Sequence, residues 1–553
     1  MSIVTEERDY QHWIDALVEE AINYWGKRVS KIDCSCGLSV SGLQHVGRLR
    51  GEITLANTVM QQLRQKGLDS KHYVVRYTSD EWKGKESQLA QFPDPTKAKK
   101  YVGRRLVDIP DPQCELGSWV DRYWLDFGPY LDYFSRDTTV VSTNEIYTWP
   151  QMHELIRFTI QHRERARKII NKYRVRNPYP KDWFPINVIC DACKRINTTT
   201  VVSVDLNAYT ASYRCDECSH EGTTSIENGK LSWRLEWAAL WKILDVGFEP
   251  FGKDHATPGG SRDSAKEIAE TFYNFKPPVP YANEWVGLIE NGVDKGDMGS
   301  SDFNGFTPKT WVSVAPGEAL RYIYLKNKSM KRITLGLEYI PNYIGQYERA
   351  ERVYYQIDLP RAPPLEIADI RRSYELANLD PLPEMAPLQV PYLHAVLLTQ
   401  IIPEENLPDA ALEKLTETGI IPKTLTDNQR TSITTRLDRA RSWVTSFAPA
   451  SYRIITLSAP PDGLRDTVPD ELRPVFQQLH DSLNPDEWTE EAITTTMRKL
   501  TESMSKDTQR GFFEFLYQAF FGTDKGPRIS TYFAFTDSLL IRDRVKYLAT
   551  LPK

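Results

Sequence analysis

Residues 29–67 read VSKIDCSCGLSVSGLQHVGRLRGEITLANTVMQQLRQKG, and this stretch decides the fold. Positions 29–40 are a short apolar run rich in β-forming residues. From 43 onward the apolar residues recur at helical spacing, and the pattern stops at Gly67. HYVVRYT at 72–78 reads as a second short strand, so the first 80 residues predict a βαβ unit and therefore a parallel sheet. Gly37, Ser39, Ser41, Gly42 and Gly47 crowd the strand-to-helix turn, where backbone amides at a helix N-terminus can receive an anion. Neither GxxxxGK[ST] nor GxGxxG occurs there, which excludes the P-loop and dinucleotide fingerprints as its explanation.

Outward from this unit, the 553 residues are too many for one core, and several domains are expected. Hydrophobic residues at 41% and charged residues at 26% exclude general disorder, and a net charge of -5 excludes a wholesale polybasic binder. Between 163 and 176 a helical pattern carries Arg163, Arg165, Arg167, Lys168, Lys172, Arg174 and Arg176 against Glu164 alone. Such a stretch reads first as a solvated helix face and second as a phosphate-backbone contact. Cys190, Cys193, Cys215 and Cys218, written CDAC and CDEC around a strand-rich segment, have the spacing of a tetrahedral structural Zn²⁺ site in a zinc ribbon. Cys34, Cys36 and Cys114 lack such partners and read as buried small residues. Strand and helix alternation resumes after the ribbon, as in the second half of a split α/β domain. Proline-dense stretches at 277–280, 360–364 and 380–391 mark boundaries or linkers, and from about 392 the patterns are helical only. No run is apolar and long enough to span a membrane, and MSIVTEERDYQHW does not read as a leader, so a cytoplasmic protein without membrane partners is expected.

His45-Val46-Gly47-Arg48, directly after the glycine and serine turn, resembles the His-Ile-Gly-His signature of class I aminoacyl-tRNA synthetases. WRLEW at 233, FEPFGKDHATPGGS at 248, Glu284-Trp285, MGSS at 298, Thr307-Pro308 and PGEALRY at 316 then occur in the order seen in class I lysyl-tRNA synthetases. VPYLHAVLLTQI at 390 and FFEFLYQAFFGTDKGPRIS at 512 look like that family's helical anticodon-binding region, so the resemblance covers nearly the whole chain. It implies an α/β fold: a class I Rossmann-like parallel sheet split by a helical and zinc-ribbon insertion, followed by an all-α anticodon-binding domain. The expected division is a first catalytic half at 1–135, the insertion at 136–228, a second half at 229–309, a connecting segment at 310–384 and the helical domain at 385–553.

The same resemblance implies a lysine–tRNA ligase that uses ATP with Mg²⁺ to form lysyl-adenylate and then charges tRNA(Lys), with a monomer as the expected state. By that resemblance, Ser41, Gly42, His45, Gly47, Arg48 and Met298 bind ATP, and His45, Arg48, Ser300 and Ser301 serve the chemistry. Gly37, Ser39, Trp233, His255 and Tyr281 or Asn283 form the amino acid pocket, and Glu236 is an acid that could answer a lysine ammonium. The chain departs from the family pattern in three places. The second signature, similar to Lys-Met-Ser-Ser-Ser-Lys-Gly, reads Asp297-Met298-Gly299-Ser300-Ser301-Asp302-Phe303, which inverts its charge. Arg48 stands where a neutral residue is usual, and with Lys295 it could compensate. Asn283 stands where the family has tyrosine. These departures keep two alternatives open: a synthetase-like paralogue with another amino acid or acceptor, and an inactive tRNA-binding homologue.

Overall fold

The computed structural model describes residues 11–551 other than 27, 28 and 359; the first ten residues, which include most of the segment read for a leader, lie outside them. The chain divides into two units. The first runs to residue 312 and adds 316–336 and 349–382; the second comprises 313–315, 337–348 and the chain from 383.

The first unit is built on a five-stranded sheet. Its strands are β1 (Asp33–Leu38), β2 (His72–Arg76), β3 (Thr138–Ser142), β4 (Val246–Gly252) and β5 (Val279–Asn283). The order is β5-β4-β1-β2-β3, with every pairing parallel. β1 is central and buried along nearly its whole length, so its residues are mostly small and its burial does not alternate. Cys34 and Cys36 are fully buried in it, and burial pushes both thiols up, away from reactivity. β4 pairs with β1, so strands from before and after the insertion form one sheet.

Two strands depart from the sequence reading. β3 lies just past the expected boundary at 135, yet it pairs with β2 and completes the sheet edge. β5 begins inside the proline run at 277–280. Pro280 can sit there because β5 is an edge strand, paired with β4 alone, and an edge does not need every backbone N–H. The segment after β5 leaves the central sheet: Val286–Glu290 pairs antiparallel with Val293–Asp297 and parallel with Ile333–Leu335. The segment expected to connect at 310–384 is divided between the two units.

The basic stretch forms the helix Arg163–Tyr173, and most of its cations have local duties. Arg163 lies 4.0 Å from the Phe184 ring, and Arg174 4.1 Å from Tyr179. Arg165 donates to the Thr271 carbonyl, Arg167 pairs with Glu164 and Lys172 with Glu267. These side chains tie the insertion to itself and to the helix after β4.

The second unit is helical, with no strand among its described residues. Its longest helix, Asp427–Ser446, starts with a capping box between Thr426 and Gln429. Lys506–Phe521 ends at Gly522 in the left-handed conformation, and Phe476 stacks on Phe512 with ring centres 5.1 Å apart. No helix among the described residues is long and apolar enough to cross a membrane.

Candidate active site

A sheet ordered 3-2-1-4-5 reverses direction between its first and fourth strands, and the crevice beyond their carboxyl ends is where such folds hold ligands. Here a cleft of about 590 Å³ opens at that point, walled by the ends of β1 and β4 and by the loops that follow β5. Gly37, Ser39, His45, Gly47, Arg48, Trp233, His255, Asn283, Met298 and Ser300 all line it. Residues from six sequence segments thus meet on one surface.

The turn after β1 enters a 3₁₀ helix at Val46–Leu49 and a π-helical turn at Arg50–Leu55 before the α-helix Ala56–Gln65, where the sequence predicts one continuous helix. His45 caps this entry. It is buried, its Nδ1 has no hydrogen-bond partner, and burial with the nearby Arg48 charge lowers its pKa to about 3. The imidazole is therefore neutral at physiological pH and offers one N–H. Arg48 lines the cleft and pairs with Glu52 at 3.9 Å. Ser41 and Gly42 stand behind the cleft wall, where Gly42 has a steric reason: a Cβ would collide with the Ser300 carbonyl oxygen.

That contact joins the first signature to the second. Met298 is tied to Val286 (N to O, 2.9 Å), and Gly299 and Asn304 exchange backbone hydrogen bonds around a tight turn. Phe303, at φ 56°, anchors the turn against Tyr123 and Trp119. Ser300 is buried on the cleft wall with its hydroxyl unpartnered. Ser301 lies outside that wall, accepting from Lys85 Nζ at 2.8 Å. The two aspartates are each engaged: Asp297 by Arg332 at 3.0 Å, Asp302 by Lys85 at 2.9 Å. Lys295 is exposed on the hairpin and off the cleft wall.

The other end of the cleft is aromatic. Trp233 stacks on Trp237 (5.3 Å, 19°) and meets Tyr77 edge-on, while His255 lies 5.2 Å from Trp237 and bonds Ser261 through Nδ1 at 2.8 Å. Gly37 lacks a side chain because the Tyr77 ring occupies its space. Glu236 is not on this wall. It is fully buried on the insertion side, accepts from Tyr147 Oη at 2.8 Å, and pairs with Lys230 at 3.0 Å, so it cannot meet a ligand. Tyr281 stacks on Trp13 (6.0 Å, 12°) lower on β5 and lines a separate hollow. Asn283, buried against Gly51, holds the cleft position.

An acid that does line the cleft and touches its aromatic residues is Glu249, in the middle of β4, which sequence reasoning passed over. It accepts from the indole N–H groups of Trp237 and Trp241, the latter at 2.7 Å. Burial raises its pKa to about 7, against the opposing charge of Arg262 and those two hydrogen bonds.

The four cysteines of the insertion form two matching knuckles. Lys194 and Ser219 each take positive φ and each return a backbone N–H to the first cysteine of their pair, at 2.8 and 2.9 Å. Cys190 and Cys218 sulfurs lie 3.6 Å apart, Cys193 and Cys215 sulfurs 3.7 Å, and all four within 4.8 Å of one another. A tetrahedral zinc with bonds of about 2.3 Å requires sulfur separations of about 3.8 Å, so the donor set fits that ion.

Residues 11–380 match the family model described as tRNA synthetases class I (K). The lysine–tRNA ligase of Aeropyrum pernix is 38% identical over 548 residues, covering 98% of each chain. That of Methanocaldococcus jannaschii is 28% identical over 95% of this chain and 97% of its own. That of Pyrococcus horikoshii is 27% identical over 97% and 99%.

Proposed function

The chain belongs to the tRNA synthetases class I (K), and from that premise we propose that it activates lysine with ATP and charges tRNA(Lys). The observation that carries this reading is that His45, Gly47 and Arg48 of the first signature and Met298 and Ser300 of the second line one cleft together with Trp233, Trp237, His255 and Glu249.

The lysine carboxylate attacks the α-phosphorus of ATP in line, the bond to the β-phosphate breaks, and pyrophosphate leaves. The terminal ribose hydroxyl of the tRNA then displaces AMP. A protein accelerates such steps chiefly by positioning and by neutralising phosphate charge. ATP, arriving as its Mg²⁺ complex, lies along the His45–Arg48 turn: the neutral His45 N–H and the Gly47 amide meet phosphate oxygens, and Arg48 supplies positive charge. Ser300 closes on the phosphates, Ser301 holds Lys85 beside them, and Met298 packs at the nucleotide. Lysine lies at the aromatic end, its backbone near Gly37 and Ser39 and its stem against Trp233 and His255, with Asn283 at the cleft side of β5. Glu249 takes the role expected of Glu236: its carboxyl ionises when the lysine ammonium arrives.

Cys190, Cys193, Cys215 and Cys218 would hold zinc with four thiolates, and the ion would brace the insertion. The helical unit reads the anticodon, and the reaction takes place in the cytoplasm, where charged tRNA is consumed. Charging of total tRNA with labelled lysine by the zinc-loaded full chain tests the reading. Lysine attachment that requires ATP supports it, and binding of tRNA without attachment would leave a tRNA-binding homologue.

A further inference from the structure

The signature loop lacks lysines, but it does not lack a cation. Lys85 precedes the short helix Glu86–Leu89, on the loop that follows β2, and its ammonium reaches Ser301 Oγ at 2.8 Å and the Asp302 carboxylate at 2.9 and 3.3 Å. Ser87 Oγ donates to the Ser301 carbonyl at 2.6 Å, and the buried Gln88 donates from Nε2 to the Ser41 carbonyl at 2.8 Å. Side chains of Lys85, Ser87 and Gln88 thus stitch the second signature to the serine turn that precedes the first. The ammonium's three N–H donors meet Ser301 Oγ and both Asp302 carboxylate oxygens, and a phosphate oxygen would take over the longest of these contacts, at 3.3 Å. Lys85 is not on the cleft lining itself but is tied to it through Asp302, which does line the cleft, and the neighbouring Ser300 hydroxyl is buried there without a partner.

We propose that Lys85 replaces the missing signature lysine as the cation that meets the leaving phosphates, with Asp302 as its positioning carboxylate. On this view the aspartate does not repel ATP, because its charge is spent on holding a lysine delivered from another segment. Asp297 is neutralised separately by Arg332. The α–β phosphate bond breaks with its electron pair going to pyrophosphate, and the Lys85 ammonium offsets the charge that builds on that group.

The inference rests on the reading of the preceding section, and the test separates the two. In the zinc-loaded full chain, Lys85→Met should weaken binding of Mg²⁺-tripolyphosphate, measured by calorimetry, about tenfold or more. It should lower kcat of lysine-dependent ATP–pyrophosphate exchange about a hundredfold and leave the affinity for lysine unchanged. Adding Asp302→Lys to Lys85→Met returns a cation to the loop and should restore at least tenfold of the lost exchange. Wild-type tripolyphosphate binding by Lys85→Met would overturn the inference, as would an equal loss of lysine affinity, the mark of a purely structural role. A wild-type chain without exchange overturns the lysine reading instead, and the tripolyphosphate comparison still decides for or against Lys85.

Discussion

Glu249→Gln should reveal a buried carboxyl poised near neutrality. Burial raises the Glu249 pKa from 4.5 to about 7, so the folded chain binds this proton more tightly than the unfolded chain does. The stabilisation from the bound proton is complete below the unfolded value and is lost as pH rises through the folded one. At about 1.4 kcal/mol per pH unit, the shift corresponds to about 3 kcal/mol withdrawn from the wild type between pH 4.5 and neutrality. Glutamine has the same shape and no charge, and its carbonyl can accept from both indoles at the position of the Oε2 atom that Trp237 and Trp241 share. Urea unfolding of both full chains at each pH, taken as a difference, cancels every other titrating group. The difference should favour glutamine by a margin that grows to about 3 kcal/mol above pH 7. Lysine affinity of the wild type should meanwhile rise with pH up to about 7 and level off, as the carboxyl ionises ahead of the ammonium. A difference that stays flat with pH would refute the reasoning, because it would mean that Glu249 is ionised and solvated in the folded protein.

Three further outcomes are expected. Cys190→Ser should lower zinc content on elemental analysis and destabilise the insertion; normal metal content would remove the four-thiolate site. Gly42→Ala should drive the Ser300 carbonyl away from the serine turn, costing about 1–3 kcal/mol and lowering exchange at least tenfold; wild-type kinetics would show that the two signatures need not touch. Arg48→Ala removes a charge-assisted phosphate contact of about 1.5–3 kcal/mol and should raise the KM for ATP or lower kcat ten- to a hundredfold.

The parts of this architecture that were legible in the sequence are those fixed by local pattern. β1, β2 and the zinc knuckles follow from short apolar runs and from cysteine spacing, and the helical second unit from the lack of alternation beyond 392. The parts that were not legible depend on who the neighbours are. β5 is hidden by prolines that only an unpaired edge excuses. Glu236 is next to Trp237 in sequence, but adjacent helical residues point about 100° apart, and that turn carries it to Lys230 instead of to the cleft. Glu249 sits inside a recognisable motif, yet its meaning comes from two indoles on a different element. The charge inversion at Asp297 and Asp302 reads as a loss in one dimension. In three dimensions each aspartate has a cation, and the one on Asp302 comes from more than two hundred positions upstream.

The central claim is that this cleft activates lysine despite its altered loop. Lysine-dependent ATP–pyrophosphate exchange on purified, zinc-loaded full chain tests it most directly, with the other amino acids as controls and tRNA added in a parallel set. Exchange with lysine is expected, reduced by Lys85→Met and by Arg48→Ala. Silence with every amino acid, in protein that is folded and binds tRNA, would contradict it.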